Sequence, residues 1–341
     1  MPTSILSLHG RARAGLVSLL ILALTGCVAL RPRSERADGA VDPVDGGMQP
    51  ADAEVDAVVV GCDQAGVCDC TPAVSAIGLG VVAHGARLTV TGGCFSDATA
   101  VRIGGVAQTF VIEDDGNLTI DSVADTTPVG LSQPLVVISP VGESTARNTT
   151  VAHLVVNEVD ARTDVGGMQR RQFVEIDTGL DASVNLAEYM VVFFGGADDG
   201  VYDVTRGAAL GMTAANGIYL LANAMVVGAQ ASLPNATLAP TTDAHAVVLY
   251  QGTVLPAATA TLGTIALPMV DALVYSTAAT ANDTGLLDLC YPEAGDRLQV
   301  DEAANGGDAF VQSIRRCATK RRAGPSFGVG APTPGAANAC P

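Results

Sequence analysis

The sequence contains no tryptophan, and aromatic residues make up only 4% of its 341 residues. Extracellular proteins often bind sugars by stacking them on exposed aromatic rings, so this scarcity argues against that mode of binding. Histidine is also rare: beyond the leader, the chain has His84, His153 and His245 in three separate contexts. None of them belongs to an H-E-x-x-H motif, so no histidine-based metal site is predicted.

Basic residues are few as well, with 18 Lys and Arg against 35 Asp and Glu and a net charge of −17. A chain this acidic repels the phosphates of nucleic acids, so no nucleic-acid partner is expected. The sequence also lacks the G-x-S-x-G elbow that exposes a nucleophilic serine. We therefore do not expect the protein to be an enzyme.

The N-terminus, residues 1–26, has the pattern of a secretory signal peptide. Arg11 and Arg13 precede an apolar run that is too short for a stable membrane span, and small residues follow it. The run ends in four residues that resemble the lipobox of bacterial lipoproteins: Leu24, Thr25, Gly26 and Cys27. The resemblance implies that Cys27 is lipidated and anchors the protein in the bacterial cell envelope, with the outer membrane favoured because Val28 is not an aspartate. An ordinary signal peptide with an incidental cysteine is the alternative.

The eight cysteines suit an oxidising compartment. With Cys27 assigned to lipid, an N-terminal and a C-terminal group remain, and bridges are expected within each group. A zinc knuckle in the N-terminal group is the alternative, but the C-x-C spacing is wrong and no second knuckle follows, so no metal is predicted. Cys290 is left unpaired, although sequence alone does not fix the connectivity. The predicted bridges are Cys62 with Cys68, Cys70 with Cys94, and Cys317 with Cys340.

Residues 27–70 are rich in Asp, Glu, Gly, Ala and Pro and are expected to form a flexible acidic linker. Short alternating strands broken by Gly and Asp follow. Several segments in this order resemble an IPT/TIG domain: Pro72, Gly85-x-x-Leu88-Thr89-Val90-Thr91-Gly92, Phe95, Val101-x-Ile103-Gly104-Gly105 and Leu135-Val136-Val137. The resemblance implies an immunoglobulin-like β-sandwich over 71–144 that spaces or binds and performs no chemistry.

Residues 145–150 are interpreted as a polar connector to a second module at 151–341. This module opens with two segments rich in β-branched residues, Leu154–Asp160 and Arg171–Gly179, which predict neighbouring strands. Together with later segments they resemble a lamin-tail domain, which implies a second immunoglobulin-like sandwich. Those later segments are Leu186–Tyr189, Asp243–Tyr250, Asp271–Tyr275, Gln312–Arg316 and Thr333–Asn338.

The predicted fold class is therefore all-β, with two immunoglobulin-like β-sandwiches in tandem. Few helices are expected, because no segment has a sustained apolar period of 3.6 residues. The Ala-rich stretch from Ala222 to Ala231 is the strongest candidate for a helix. Residues 252–270 and 280–330 are longer than a minimal domain needs, and the sequence does not fix their structure.

Three acidic residues on the opening strands form a candidate site: Glu158, Asp160 and Glu175. Neighbouring carboxylates can act as acid and base in a hydrolase, or hold a calcium ion, the one cofactor that the sequence leaves open. The alternative is that they lie on the solvated face of ordinary strands or bond to a neighbouring loop.

One basic cluster, which contains Arg315 and Arg316, is the other candidate binding site. It continues through Lys320, Arg321 and Arg322. The cluster could bind an anionic envelope polymer or an acidic protein, or it could be a solvated loop that compensates nearby acids.

These features together predict a membrane-anchored, non-catalytic interaction or scaffolding lipoprotein at the surface or in the periplasm. Its partner is expected to be a protein or an envelope polymer. Two other classes remain open at this point. One is an envelope hydrolase that uses Glu158 and Glu175, and the other is a calcium-dependent adhesin.

Overall fold

The computed structural model describes residues 70–164, 170–195, 202–234, 237–238, 244–277, 281–304 and 308–340. The signal peptide, the lipobox with Cys27, nearly all of the acidic linker and the predicted Cys62–Cys68 bridge lie outside the described residues. The described residues all belong to one compact unit, Val58–Pro341. None of the helices in these residues is long and apolar enough to cross a bilayer.

The described chain is all-β, with two sandwiches in tandem. The strands of the first sandwich are β1 (Ala73–Ile77), β2 (Val81–Ala83), β3 (Leu88–Gly93), β4 (Ala100–Ile103), β5 (Val106–Gln108), β6 (Val111–Asp114), β7 (Asn117–Ile120), β8 (Gly130–Ser139), β9 (Gly142–Glu143) and β10 (Arg147–Ala152). Those of the second are β11 (Val155–Asp164), β12 (Arg170–Asp177), β13 (Tyr189–Gly195), β14 (Asp203–Ala209), β15 (Ile218–Ala222), β16 (Ala231–Ser232), β17 (His245–Gln251), β18 (Met269–Ser276), β19 (Val300–Asp301), β20 (Ser313–Arg316) and β21 (Phe327–Gly330).

The first sandwich consists of sheet A, in the order β1-β3-β7-β6, and sheet B, in the order β2-β10-β8-β4-β5 with β9 beside β8. Strand β3 shows why the sheets pack: Leu88 and Val90 are buried while Thr89 and Thr91 are exposed, because successive side chains of a strand point to opposite faces. Sheets A and B enclose one apolar core.

The residues interpreted as a connector, 145–150, are part of this sandwich instead. Strand β10 pairs antiparallel with β8 and parallel with β2. The sequence did not predict β10 because most of its residues are polar. Its first two residues are exposed, and only Thr149, Val151 and Ala152 face the interior. The first sandwich therefore extends to Ala152 and does not end at 144.

The second sandwich consists of sheet C, in the order β16-β15-β12-β11-β20-β21, and sheet D, in the order β14-β13-β17-β18-β19. The predicted opening pair forms: β11 and β12 are antiparallel neighbours, with Val159 opposite Val174 and Glu158 opposite Glu175. The apolar side chains of sheets C and D meet in the largest core of the protein.

Parts of the long C-terminal segments, whose structure the sequence does not fix, pack on sheet D at 260–269 and 286–291, and other parts supply β19, β20 and β21. The one α-helix of the described residues, α1 (Thr284–Cys290), begins after Asp283, whose side chain accepts from the amide of Leu286. Its buried residues join a second apolar cluster on β13, β17 and β18. The helix predicted for Ala222–Ala231 does not form. This stretch contains instead the end of β15, turns and the start of β16.

The two sandwiches share a continuous interior. Val81 and Ala83 of β2 belong to the same apolar cluster as the core of the second sandwich. The hydroxyl of Tyr189 donates to the Val81 carbonyl at 2.8 Å and accepts from the Ala83 amide at 3.0 Å. The side chain of Gln251 bonds both to the amide and to the carbonyl of Arg87, at 2.8 and 2.7 Å. These bonds hold the second sandwich to the backbone of the first.

Both predicted disulfides that fall within the described residues are present. Cys70 is bonded to Cys94, and Cys317 to Cys340, with Cα–Cα distances of 5.9 and 5.5 Å. Cys290 is free and buried, as predicted for the odd cysteine. The second bridge fixes the C-terminal residues 331–340, which we call the C-terminal strap.

Candidate functional site

Glu158 and Glu175 are direct cross-strand neighbours, and both side chains are completely buried. The interpretation of these residues as a solvated strand face is therefore wrong. Their proximity is as predicted, and so is a hydrogen-bonded neighbouring loop, which is the C-terminal strap.

The Glu158 carboxylate accepts three hydrogen bonds. The Ser313 hydroxyl and the Thr333 amide donate to Oε1, the latter at 2.9 Å. The Thr333 hydroxyl donates to Oε2 at 2.7 Å. Both oxygens are thus occupied by β20 and by the strap.

The Glu175 carboxylate is held in the same way. The side-chain amide of Asn157 donates to Oε1 and the Gly335 amide donates to Oε2, both at 2.6 Å. Burial raises the pKa of Glu175 to about 7, although these two donors lower it, and the neighbouring Glu158 adds to the rise. Near neutral pH this carboxyl group is therefore close to its midpoint.

Asn338 fixes the far end of the strap. Its side-chain nitrogen donates to the backbone carbonyl and the side-chain oxygen of Asn157 and to the carbonyl of Arg316, at 3.0 to 3.1 Å. A cleft of about 460 Å³ lies beside the strap, and Pro334 and Gly335 line it, but Glu158 and Glu175 do not. Since all four carboxylate oxygens accept bonds from the protein, the pair is built to hold the strap and has no oxygen facing a substrate.

Asp160 does not join this pair. It is also completely buried, but it forms an ion pair with Arg171 at 3.0 Å. Glu302, which was not among the sequence-based candidates, lies nearby and accepts from the Ala161 amide at 2.8 Å. Burial raises the pKa of Glu302 well above the ordinary value, and the negative charge of Asp160 adds to the rise.

The part of the chain that the structure describes contains no set of side chains arranged to bind calcium. No three His, Cys, Asp or Glu side chains converge there as a metal site requires. Asp160 and Glu302 lie beside two cations, Arg171 and Arg162. A divalent cation at Asp160 would have to displace the guanidinium of Arg171.

Arg316 is buried rather than available for docking. It forms an ion pair with Asp271 and donates to the carbonyls of Val156 and Lys320. The predicted role of Arg316 in binding an external anion is therefore wrong, because its guanidinium is committed within the protein. Arg315 is partly buried on β20 opposite Glu158.

Two further members of the basic cluster are ion-paired with acids of the same chain. Lys320 forms an ion pair with Glu293, and Arg321 with Asp125, each at 2.7 Å. The alternative interpretation, in which the cluster compensates nearby acids, fits these two residues. The Arg321 pair also crosses between the two sandwiches, because Asp125 belongs to the first.

The few aromatic side chains all fall within the described residues. The chain has six tyrosines and seven phenylalanines, and eleven of these thirteen are buried. Phe110 and Phe310 are partly buried, and the guanidinium of Arg162 lies 4.7 Å above the Phe310 ring. The protein therefore offers no fully exposed aromatic ring on which a sugar could stack.

The sequence matches no protein-family model and no curated protein. Among solved structures it is similar to SGBP-B of the Bacteroides ovatus mixed-linkage glucan utilization locus, with 13% identity over 53% of this chain and 40% of that chain, and a TM-score of 0.23. Prevotella bryantii surface glycan-binding protein PbSGBP-B has 11% identity, coverages of 54% and 40%, and a TM-score of 0.23. The human OSCAR ligand-binding domain has 13% identity, coverages of 60% and 97%, and a TM-score of 0.24. The chain thus spans less than half the length of either glycan-binding protein, and identities and TM-scores this low transfer neither a ligand nor an activity.

Proposed function

We propose that the protein is a non-catalytic binding or scaffolding lipoprotein of the bacterial envelope, anchored through Cys27. Its two sandwiches, which resemble IPT/TIG and lamin-tail modules, would together form one display unit. The observation that carries the non-catalytic part is the occupancy of the Glu158 and Glu175 oxygens by protein donors. A general acid or base must reach the substrate, and neither carboxylate does so here.

The surface chemistry supports a cationic partner. The chain carries a net charge of −17, and within the described residues six basic side chains are already ion-paired with acids of the chain. The surface presented to a partner is therefore acidic. We infer that the partner is a basic protein or a cationic envelope polymer, and that sugar stacking plays no part in its recognition.

Binding and catalysis can be separated in one experiment. The Cys27→Ala chain is incubated with purified cationic proteins and with envelope polymers, and both the bound fraction and any released products are measured. The proposal predicts binding that weakens as ionic strength rises, with no products. Product release that disappears in Glu158→Gln would contradict it, and so would binding that is independent of salt.

The anchor has its own test. The wild-type chain should sediment with membranes, whereas Cys27→Ala should be released as soluble protein, because the thiol that would carry the acyl chains is gone. Val28→Ala is the matched control and should stay with the membranes. Sedimentation of Cys27→Ala with the membrane fraction would rule out lipidation as the anchor.

A further inference from the structure

Two of the three histidines that the sequence places in separate contexts meet where the sandwiches join. His84 follows β2 of the first sandwich, and its amide donates to the carbonyl of Ala152. His153 lies between β10 and β11, in the segment that enters the second sandwich. Their Nδ1 atoms are 3.1 Å apart, and the ring centroids are 5.3 Å apart. This spacing fits two rings with their Nδ1 atoms pointing at each other.

The hydrogen bonds fix the tautomer of each ring. Nε2 of His84 lies 2.7 Å from the carbonyl of Thr127. A carbonyl only accepts, so Nε2 of His84 carries the hydrogen and its Nδ1 has a lone pair. His153 must then donate from Nδ1, which leaves its Nε2 as an acceptor. That Nε2 atom is buried and has no hydrogen-bond partner among the described residues.

Four charged groups face the pair. Asp125 and Arg321 face His84, and His153 faces Arg321, Arg316 and Asp271. Burial lowers the pKa of both histidines, the two arginines add to this effect, and the two aspartates oppose it. Both rings are therefore neutral near pH 7.

We propose that His84 and His153 form a pH-sensitive clasp at the junction between the two sandwiches, which is closed while both rings are neutral and opens in acid. A first proton can enter only at Nε2 of His153, where it creates a buried cation beside Arg316 and Arg321. A second proton at Nδ1 of His84 sets two N–H groups against each other across 3.1 Å. The first step places the new cation beside two arginines, and the second removes the acceptor of the hydrogen bond between the rings.

The sign of the effect follows from the lowered pKa values. Below the ordinary histidine pKa of 6.5, the unfolded chain binds more protons at these sites than the folded one. The stabilisation is therefore complete at neutral pH and is lost as the pH falls through the folded-state values.

The tautomers can be tested without a mutation. Nitrogen-15 NMR of the histidine rings in the full-length wild-type chain near pH 7.5 distinguishes the two neutral forms. We expect the Nε2–H form for His84 and the less common Nδ1–H form for His153. Nε2–H forms for both rings would overturn the proposal, because no proton would then lie between the Nδ1 atoms.

Hydrogen exchange measures the opening itself. Amides 80–87 carry several bonds across the junction, and β17 serves as an internal reference. Between about pH 7.5 and pH 5, protection of 80–87 relative to β17 should fall by about tenfold, because the open form binds more protons at the two histidines than the closed form does. His84→Gln and His153→Gln should each remove this pH dependence. The matched control His245→Gln, on β17, should keep it. Unchanged protection in the wild type, or a pH dependence that survives both junction variants, would contradict the clasp.

Discussion

Replacing Glu175 with glutamine should remove a pH-dependent contribution to stability. The folded-state pKa of Glu175 is raised from 4.5 to about 7, so between these values the folded protein binds a proton that the unfolded chain does not. Stability from this group is therefore present in acid and is lost as the pH rises towards 7. The glutamine side chain cannot ionise, so Glu175→Gln should not show this loss.

The size of the effect follows from linkage. A pKa change from 4.5 to about 7 corresponds to about 2.5 kcal/mol of unfolding free energy lost between pH 5 and pH 8. Glu175→Gln also adds a constant change, because the new amide nitrogen faces the Gly335 donor in place of Oε2. That loss of a hydrogen bond costs about 1–3 kcal/mol at every pH. The pH slope, and not the absolute stability, carries the prediction.

Urea unfolding at pH 5, 6, 7 and 8 gives the free energies for both proteins. Other groups titrate in this range, since Glu302 also has a raised pKa while the pKa values of His84 and His153 are lowered. The histidines act in the opposite direction, because their contribution is lost as the pH falls. Subtracting the Glu175→Gln curve from the wild-type curve cancels the contributions of these other groups to the free energy of unfolding.

The difference between the two free-energy curves tests whether Glu175 has the raised pKa. A decrease of about 2.5 kcal/mol from pH 5 to pH 8 would support a buried carboxyl group under the strap. A flat difference, or one that rises with pH, would refute the account of Glu175. Asp177→Asn is the matched control on the same strand, since Asp177 is partly exposed. It should not reproduce the slope.

Four more predictions concern single side chains and one disulfide. Tyr189→Phe removes a hydroxyl bonded to two backbone groups of the first sandwich and should lower the free energy of unfolding by about 1–3 kcal/mol in urea. Tyr250→Phe removes a buried hydroxyl that has no partner in the described part of the chain, and should be neutral or stabilising; equal effects of the two substitutions would contradict this reasoning. Replacing Cys317 and Cys340 with serine should cost about 3 kcal/mol and expose the strap to hydrogen exchange, because the bridge spans 23 residues; unchanged exchange would show that the hydrogen bonds suffice. Burial raises the pKa of the Cys290 thiol to about 12, so it should resist alkylation near pH 8 in the folded protein and react in urea, as intact mass would show. Rapid labelling of the folded chain would contradict its burial.

The strands were predictable because their signals are local. Alternation at 87–92 indicated β3, and the Gly104-Gly105 pair indicated the turn between β4 and β5, where both glycines have positive φ of 57° and 81°. The disulfides were predictable for a similar reason, since each closes within one part of the chain. Strand β10 was missed because its first four residues are polar, so its composition matches that of a loop.

Burial of the acids was not predictable, because the groups that bury them are remote in sequence. Thr333 lies 175 residues from Glu158, and Gly335 lies 160 residues from Glu175. Locally, the segment around Glu158 has the same pattern as a strand with one solvated face. The signal that existed was the polar segment at 333–338, whose hydroxyl and amide groups need acceptors once they are packed against a sheet.

Several charged side chains are buried in the described residues, although we propose that the protein is non-catalytic. The contacts of Asp271 show what such a buried charge does. One of its oxygens accepts from the Val156 amide at 2.9 Å and from Arg316, and the other accepts from the Arg322 amide at 2.7 Å. A single carboxylate thus joins β11, β18, β20 and the segment after β20. Replacing these buried charged groups with apolar side chains of similar size need not lower the free energy of unfolding. Apolar side chains would not, however, specify which backbone groups meet. We therefore interpret the buried charges as the means by which the C-terminal half, with its long connections, is held in one arrangement.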